Sequence, residues 1–256
     1  MARSITLTDP DDGTVYHGQL PTGWHEVRVS MFQEFARLQA GRRPELARLS
    51  ALQALTNLPA DVLEADASLA PALAALYLPW FFAELPTGEP APTLQHRGVT
   101  YEYVGDWSRL TAGQFEALLT FLDEANGNPG LAAPHLLAVL LVAKGRTQDA
   151  KAVEEASAVF TRLSMEQAWP YVANFLKHSS PAALAERYPA LFKEAAADTT
   201  EPGFSASSSF SFTHALLWHS RHIQQPVRLL RKWQADELLE DMAFEYQRTK
   251  KDAKQP

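Results

Sequence analysis

Asp106-Trp107-Ser108-Arg109-Leu110-Thr111-Ala112-Gly113-Gln114, residues 106–114, contains a helix start that is legible by itself. Thr111 and Gln114 have the Ser/Thr-x-x-Gln spacing of a capping box. In that device the hydroxyl accepts from the amide three residues on, and the Gln side chain reaches back to the cap's own N–H. Leu110, just before the box, suits a hydrophobic staple to the fourth helical residue. The same pattern recurs at Ser30-Met31-Phe32-Gln33 behind Val29, and at Ser164-Met165-Glu166-Gln167 behind Leu163. Gly23-Trp24-His25-Glu26-Val27-Arg28-Val29-Ser30 also repeats the tryptophan-led approach of 106–111, so the two look like versions of one strand-to-helix lead-in. Capping boxes are common, and the reading adopted from the sequence is three well-capped helices rather than an internal duplication.

Outward from these starts the apolar spacing is helical. Met31, Phe32, Phe35 and Leu38 share a face over 30–39, and Leu46, Leu49, Leu52 and Leu55 do so over 44–57. Further helices are predicted at 60–65, 67–82, 111–126, 131–143, 148–163, 164–178, 181–197, 212–224 and 226–249. Pro79 should end or kink the helix over 67–82, because it lacks an amide donor and clashes with the preceding turn. Two stretches read as β. Ser4–Thr8 and 14–17 flank the turn sequence Asp9-Pro10-Asp11-Asp12-Gly13 and predict a hairpin. Val99-Thr100-Tyr101-Glu102-Tyr103-Val104 should turn back on Pro92-Thr93-Leu94 through His96-Arg97-Gly98. The expected fold is therefore mainly α: a multi-helix domain with a small N-terminal β-hairpin and a second short β element near residues 92–104. Proline-rich 85–93 and serine-rich 198–211 read as linkers. They divide the chain into 1–85 (hairpin plus helices), 94–197 (a central helical module) and 212–256 (C-terminal helices).

Composition narrows the chemistry. Among 256 residues, 30 acidic against 23 basic side chains give a formal charge of −7, which argues against bulk phosphate binding. The cluster Arg221, His222, Arg228, Arg231 and Lys232 reads as cations snorkelling from an apolar helix face. With no cysteine, disulfides, thiol catalysis and cysteine-ligated metals are excluded. His214, His219 and His222 share a helix, but no Asp or Glu of that helix stands in register to complete a ligand set, so no metal and no cofactor is expected. Glu154-Glu155 and Glu237/Glu240/Asp241 read as solvated helix faces. No nucleophile elbow, zincin motif or phosphate loop occurs. The start 1–10 does not read as a secretory signal, and no apolar run approaches the ~20 residues of a membrane span.

The aromatics carry the remaining information. Tyr77-Leu78-Pro79-Trp80-Phe81-Phe82 and Trp169-Pro170-Tyr171-Val172-Ala173-Asn174-Phe175 are dense aromatic stretches near helix ends. They read first as core and second as interface anchors. The 226–249 helix has Val227, Leu230, Trp233, Leu238, Met242 and Tyr246 on one face. The candidate partner-binding residues are accordingly Trp80, Phe81, Phe82, Trp169, Tyr171, Trp233, Met242 and Tyr246.

The layout around these stretches resembles helical proteins of tailed-bacteriophage structural gene clusters, and in particular the tail assembly chaperones. It consists of Trp24-His25-Glu26-Val27, Phe32-Gln33-Glu34-Phe35 and Leu78-Pro79-Trp80-Phe81-Phe82. A second module then runs from Gly98-Val99-Thr100-Tyr101 through Leu110–Phe115 and Leu136–Leu141 to Asn174-Phe175-Leu176. The resemblance covers residues 15–180, and the last 60 residues have no counterpart in it. It implies a non-enzymatic cytoplasmic morphogenesis factor that binds a protein partner such as the tape measure protein, with self-association as a further expectation. A virion structural or adaptor protein is the alternative implied by the extra C-terminal length. A helical enzyme or ligand-binding domain without a recognisable motif is the second alternative.

Overall fold

The computed structural model describes residues 2–8, 13–65, 68–192 and 212–252. The protein is mainly α, with a two-stranded N-terminal hairpin and a separate three-stranded sheet. The first stretch of chain forms β1 (Arg3–Thr8), β2 (Val15–Leu20), α1 (Val29–Gln39), α2 (Ala47–Leu55), α3 (Ala60–Glu64) and α4 (Leu69–Tyr77). Next come β3 (Thr93–His96), β4 (Val99–Tyr103), α5 (Ala112–Glu124), α6 (Pro129–Leu140) and β5 (Leu141–Ala143). Helices α7 (Ala150–Phe160), α8 (Met165–Ser179), α9 (Pro181–Arg187) and α10 (Pro189–Phe192) follow. The last three are α11 (Phe212–His222), α12 (Val227–Leu230) and α13 (Ala235–Asp252).

Both predicted β elements form. β1 and β2 pair antiparallel from Arg3↔Leu20 to Thr8↔Val15; of the expected turn 9–13, only Gly13 lies among the described residues. β3 and β4 pair from Thr93↔Glu102 to His96↔Val99. The two residues between them, Arg97 and Gly98, have φ of 51° and 77°. Left-handed backbone at both central positions makes the tight turn whose twist matches the strands.

Several predicted helices are shorter or divided, each for a local reason. The apolar run 131–143 is not one helix: α6 ends at Leu140, and Leu141–Ala143 turns into β5 on β4, with Tyr103 opposite Leu141. An apolar run of this length is ambiguous between buried helix and buried strand, and here the β4 edge decides. The 181–197 helix breaks at Tyr188, which Pro189 forces out of α geometry to φ −124°, ψ 64°. Residues 193–197 and the serine-rich stretch 198–211 lie outside the described residues. Pro79 ends the 67–82 helix as its chemistry requires, and Pro79–Phe82 forms a 3-10 turn. The 44–57 helix opens as a 3-10 turn, Pro44–Leu46, and ends at Leu55. The 226–249 helix is two helices, α12 and α13, interrupted at residues 231–234.

The chain forms two compact units, each assembled from separated stretches rather than from the consecutive segments 1–85, 94–197 and 212–256. Unit 1 comprises 1–90, 122–138 and 147–172; unit 2 comprises 91–121, 139–146 and 173–256. Val27, Val29, Leu52, Leu78, Phe160 and Leu163 are buried in the core of unit 1. Leu110, Phe115, Leu118, Leu140, Phe175 and Leu238 are buried in that of unit 2.

Each unit contains the same device. In unit 1, Arg28 and Ser164 form an antiparallel bridge at the starts of α1 and α8. Val29 N–H donates to Leu163 O (2.9 Å), Ser30 N–H to Thr161 O (2.9 Å) and Met165 N–H to Val27 O (2.7 Å). In unit 2, Thr111 and Gln234 bridge at the starts of α5 and α13. Ala112 N–H donates to Trp233 O (2.8 Å), Gly113 N–H to Arg231 O (2.9 Å) and Ala235 N–H to Leu110 O (2.7 Å). The two sets match bond for bond when the first strand is shifted by 83 positions, Arg28 to Thr111, and the second by 70, Ser164 to Gln234. The first shift also superposes Trp24 on Trp107 and Phe32 on Phe115. The two tryptophan lead-ins are thus one local structure used twice, which goes beyond the reading of three capped helices.

The match also corrects the register. Arg28, not Ser30, corresponds to Thr111. Ser30 lies inside α1, and the cap position Arg28 makes no side-chain capping bond. At Thr111 the box is complete: Thr111 N–H donates to Gln114 Oε1 (3.0 Å) and Gln114 N–H to Thr111 Oγ1 (3.3 Å). At Ser164 the Gln167 N–H donates to the hydroxyl (3.3 Å), which itself donates to Gln167 Oε1 (3.2 Å).

Two predictions follow from this geometry. Thr111→Ala should lower stability by about 1 kcal/mol, whereas Ser30→Ala should change it by no more than about 0.5 kcal/mol; urea denaturation of the two variants reads the contrast. Gly18 of β2 has no room for a side chain, since a Cβ there would lie 2.9 Å from Leu58 Cγ and 3.1 Å from Ile5 Cγ1. Gly18→Ala should therefore cost about 1–3 kcal/mol through overpacking, read by the same measurement.

Candidate partner-binding surface

The aromatic residues of unit 1 converge on Trp24. Its ring meets Trp80 at 5.1 Å and 85°, Phe32 at 6.0 Å and 75°, and Phe81 at 4.9 Å. Phe81 also meets Phe35 edge-on at 5.0 Å, and Phe32 meets Trp169 at 5.5 Å. Edge-to-face contacts of this kind add to the area they bury, because the positive ring edge meets a negative face. The indole N–H of Trp24 donates to Glu84 O (3.0 Å).

The geometry of the Pro79–Phe82 turn sorts its three aromatics. With three residues per turn, successive side chains of a 3-10 helix leave in three different directions. Phe81 points inward and is buried, Trp80 lies half-buried along the cluster, and Phe82 stands outward, 41% exposed and 5.3 Å from Phe81. The indole nitrogen of Trp80 is buried and has no hydrogen-bond partner among the described residues. Leu76, in the last turn of α4, is 66% exposed.

The remaining candidates separate the same way. Trp169, Tyr171 and Met242 are buried. Together with Phe81 they are buried and offer no exposed surface to a partner in this structure. Burial pushes the Tyr171 hydroxyl pKa up, keeping it protonated. Trp233 is exposed and Tyr246 half-buried. Trp233 follows the end of α12, and its carbonyl serves the α5 start. Sequence reasoning missed Phe244 of α13, 62% exposed. The available signal was its phase: Leu238, Leu239 and Met242 mark the buried face of α13, and Phe244 falls off it.

Unit 2 treats its own tryptophan differently. Trp107 is buried, and its indole N–H donates to Tyr188 Oη (2.8 Å). The Tyr188 hydroxyl in turn donates to Asp236 at the start of α13. Arg187 pairs with the same carboxylate (2.8 Å) and lies 5.6 Å above the Trp107 ring. Burial, reinforced by the neighbouring carboxylate, pushes the Tyr188 pKa upward, so the phenol remains the donor. Glu116 of α5 accepts two bonds from Arg231 (2.7 and 3.1 Å) and one from Thr213 (2.8 Å). These groups are consumed by one another and hold α5, α11 and α13 to their places.

Two of the three histidines of α11 reach α13. His219 is buried and contacts Asp241, while His222 contacts Glu245. Among the described residues no group of three His, Asp or Glu could hold a metal ion, and no helix is long and apolar enough to cross a membrane. No protein-family model, curated protein or solved structure matches the chain.

Neighbouring phenylalanines should respond oppositely to truncation. Phe81→Ala should cost about 3–5 kcal/mol by opening a cavity at the centre of the cluster. Phe82→Ala should stay within about 0.5 kcal/mol of the parent chain. Denaturant midpoints of the two variants check the difference.

Proposed function

We propose that this protein is a non-enzymatic assembly factor of the tail-assembly-chaperone type, which holds a phage structural protein such as the tape measure protein through apolar contacts. The observation that carries the reading is the Pro79–Phe82 turn. Its Phe81 anchors the segment in the core while Phe82 and the nearby chain at Leu76 present apolar surface outward. Half-buried Trp80 lies beside them, and exclusion of water around an aromatic anchor is the usual source of interface energy. The second contact region expected on unit 2 is at Trp233, between α12 and α13, and at Phe244 of α13, both exposed.

Co-expression with the tape measure protein of the same gene cluster, followed by affinity capture, tests the proposal. The parent chain should retain the tape measure protein. The Leu76→Ser/Phe82→Ser double variant should lose it, with affinity down at least tenfold and an unchanged melting temperature. Absence of binding by the parent chain would reject the reading.

A further inference from the structure

Helices α11 and α13 are fastened by two histidine–carboxylate contacts one helical turn apart. His219 Nε2 lies 2.9 Å from Asp241 Oδ2, and His222 Nε2 lies 3.0 Å from Glu245 Oε2. Glu245 also pairs with Arg248 (2.9 Å), and the Trp218 ring stacks on His222 at 5.3 Å and 10°. The first pair is asymmetric: the His219 side chain has no exposure, while Asp241 is 40% exposed. The second ring nitrogen of His219, Nδ1, is buried and has no partner among the described residues.

That arrangement suits a neutral imidazole and opposes its cation. In the neutral ring Nε2–H donates to Asp241, leaving on Nδ1 a lone pair whose burial is tolerable. A second proton would place an N–H on Nδ1 where no acceptor stands among the described residues, and a charge on a fully buried side chain. The charged groups facing His219 are Asp241 and Glu245 from α13, which favour the cation, and His222 from its own helix, which opposes it. Glu116 of α5 reaches only Thr213, toward the far end of α11, and is held by Arg231. The single charge of α12, Arg228, is exposed. Burial outweighs the two carboxylates and holds the His219 pKa below its ordinary value.

We propose that the His219–Asp241 contact is an acid-sensitive latch: protonation of His219 releases α11 from α13 while unit 1 stays folded. Release would loosen α11, whose Ala215 and Leu216 are buried in the closed form. Because the folded pKa is the lower one, the latch contributes its full stability above the unfolded histidine value of about 6.5. It loses that contribution as the pH falls below this value toward the folded pKa, by up to about tenfold in the opening constant per pH unit.

Hydrogen exchange read by mass spectrometry on the full chain at pH 7.5, 6.5 and 5.5, corrected for the intrinsic exchange rate, tests the latch. Protection of α11 should fall by up to about fivefold between pH 6.5 and 5.5, while α1 keeps its protection. His219→Leu should abolish that fall, and His222→Gln should preserve it. Unchanged α11 protection in the parent chain, a parallel loss in α1, or persistence of the fall in His219→Leu would each overturn the proposal. Should His219→Leu not fold, the parent chain decides by NMR titration of the His219 ring: a midpoint below 6.5 supports the latch, and one at or above 6.5 overturns it.

Discussion

Bringing two helix N-termini together is unfavourable unless something is placed between them. Each start leaves unpaired amides, and both ends carry the positive pole of a helix dipole. The antiparallel bridges solve both problems with backbone atoms alone. At the α1–α8 junction the carbonyls of Val27, Thr161 and Leu163 sit between the helices and take amides from the opposite start. At the α5–α13 junction the carbonyls of Leu110, Arg231 and Trp233 do the same. Just outside the bridges Val27, Leu110 and Leu163 are fully buried, while the fourth such residue, Trp233, is exposed. Each unit therefore closes through chain segments more than a hundred residues apart, and its packing presupposes that these distant starts have found each other.

This long-range pairing explains what could be read from the residues alone. The Thr111–Gln114 box is local, and its bonds form as the spacing says. Arg28 is invisible to the same rule because its side chain makes no capping bond: Met31 N–H, the counterpart of the Gln114 amide that Thr111 Oγ1 accepts, goes to the Arg28 carbonyl instead (3.0 Å). That substitution moved the apparent cap two residues along, to Ser30. The interruption between α12 and α13 is hidden for a related reason. Val227 to Tyr246 keeps a helical apolar period, and the break is set by Thr111, far away in sequence. Likewise Leu141–Ala143 becomes a strand because β4 offers an edge, not because its composition differs from that of α6. The surface was legible to the level of segments. Trp80-Phe81-Phe82 marks an important turn, but only the 3-10 geometry after Pro79 tells which of the three faces outward.

The equivalent tryptophans show how one local structure is adapted twice. Trp24 gives its N–H to a backbone carbonyl and is surrounded by rings, so its neighbourhood is apolar and half open. Trp107 gives its N–H to a tyrosine whose hydroxyl is committed to a carboxylate, which in turn holds an arginine over the indole. Such a chain of donors and acceptors is costly to disturb, since buried Trp107 or Tyr188 left alone would be a desolvated polar group. Unit 2 thereby fixes its tryptophan with polar specificity, whereas unit 1 does so with shape and leaves aromatic surface to spare.

The hairpins differ in a similar way. In unit 2 the outer edge of β4 is covered by β5, with Glu102 opposite Val142. The corresponding residue of β2 under the 83-position shift is Gln19, and its backbone amide donates to the side chain of Asn57 (3.2 Å). One carboxamide thus stands where the sister unit uses a strand, with Leu58 pressed against Gly18 beside it. An open strand edge is a templating surface, and a carboxamide bound to the Gln19 amide occupies a donor that a strand of another molecule would otherwise use.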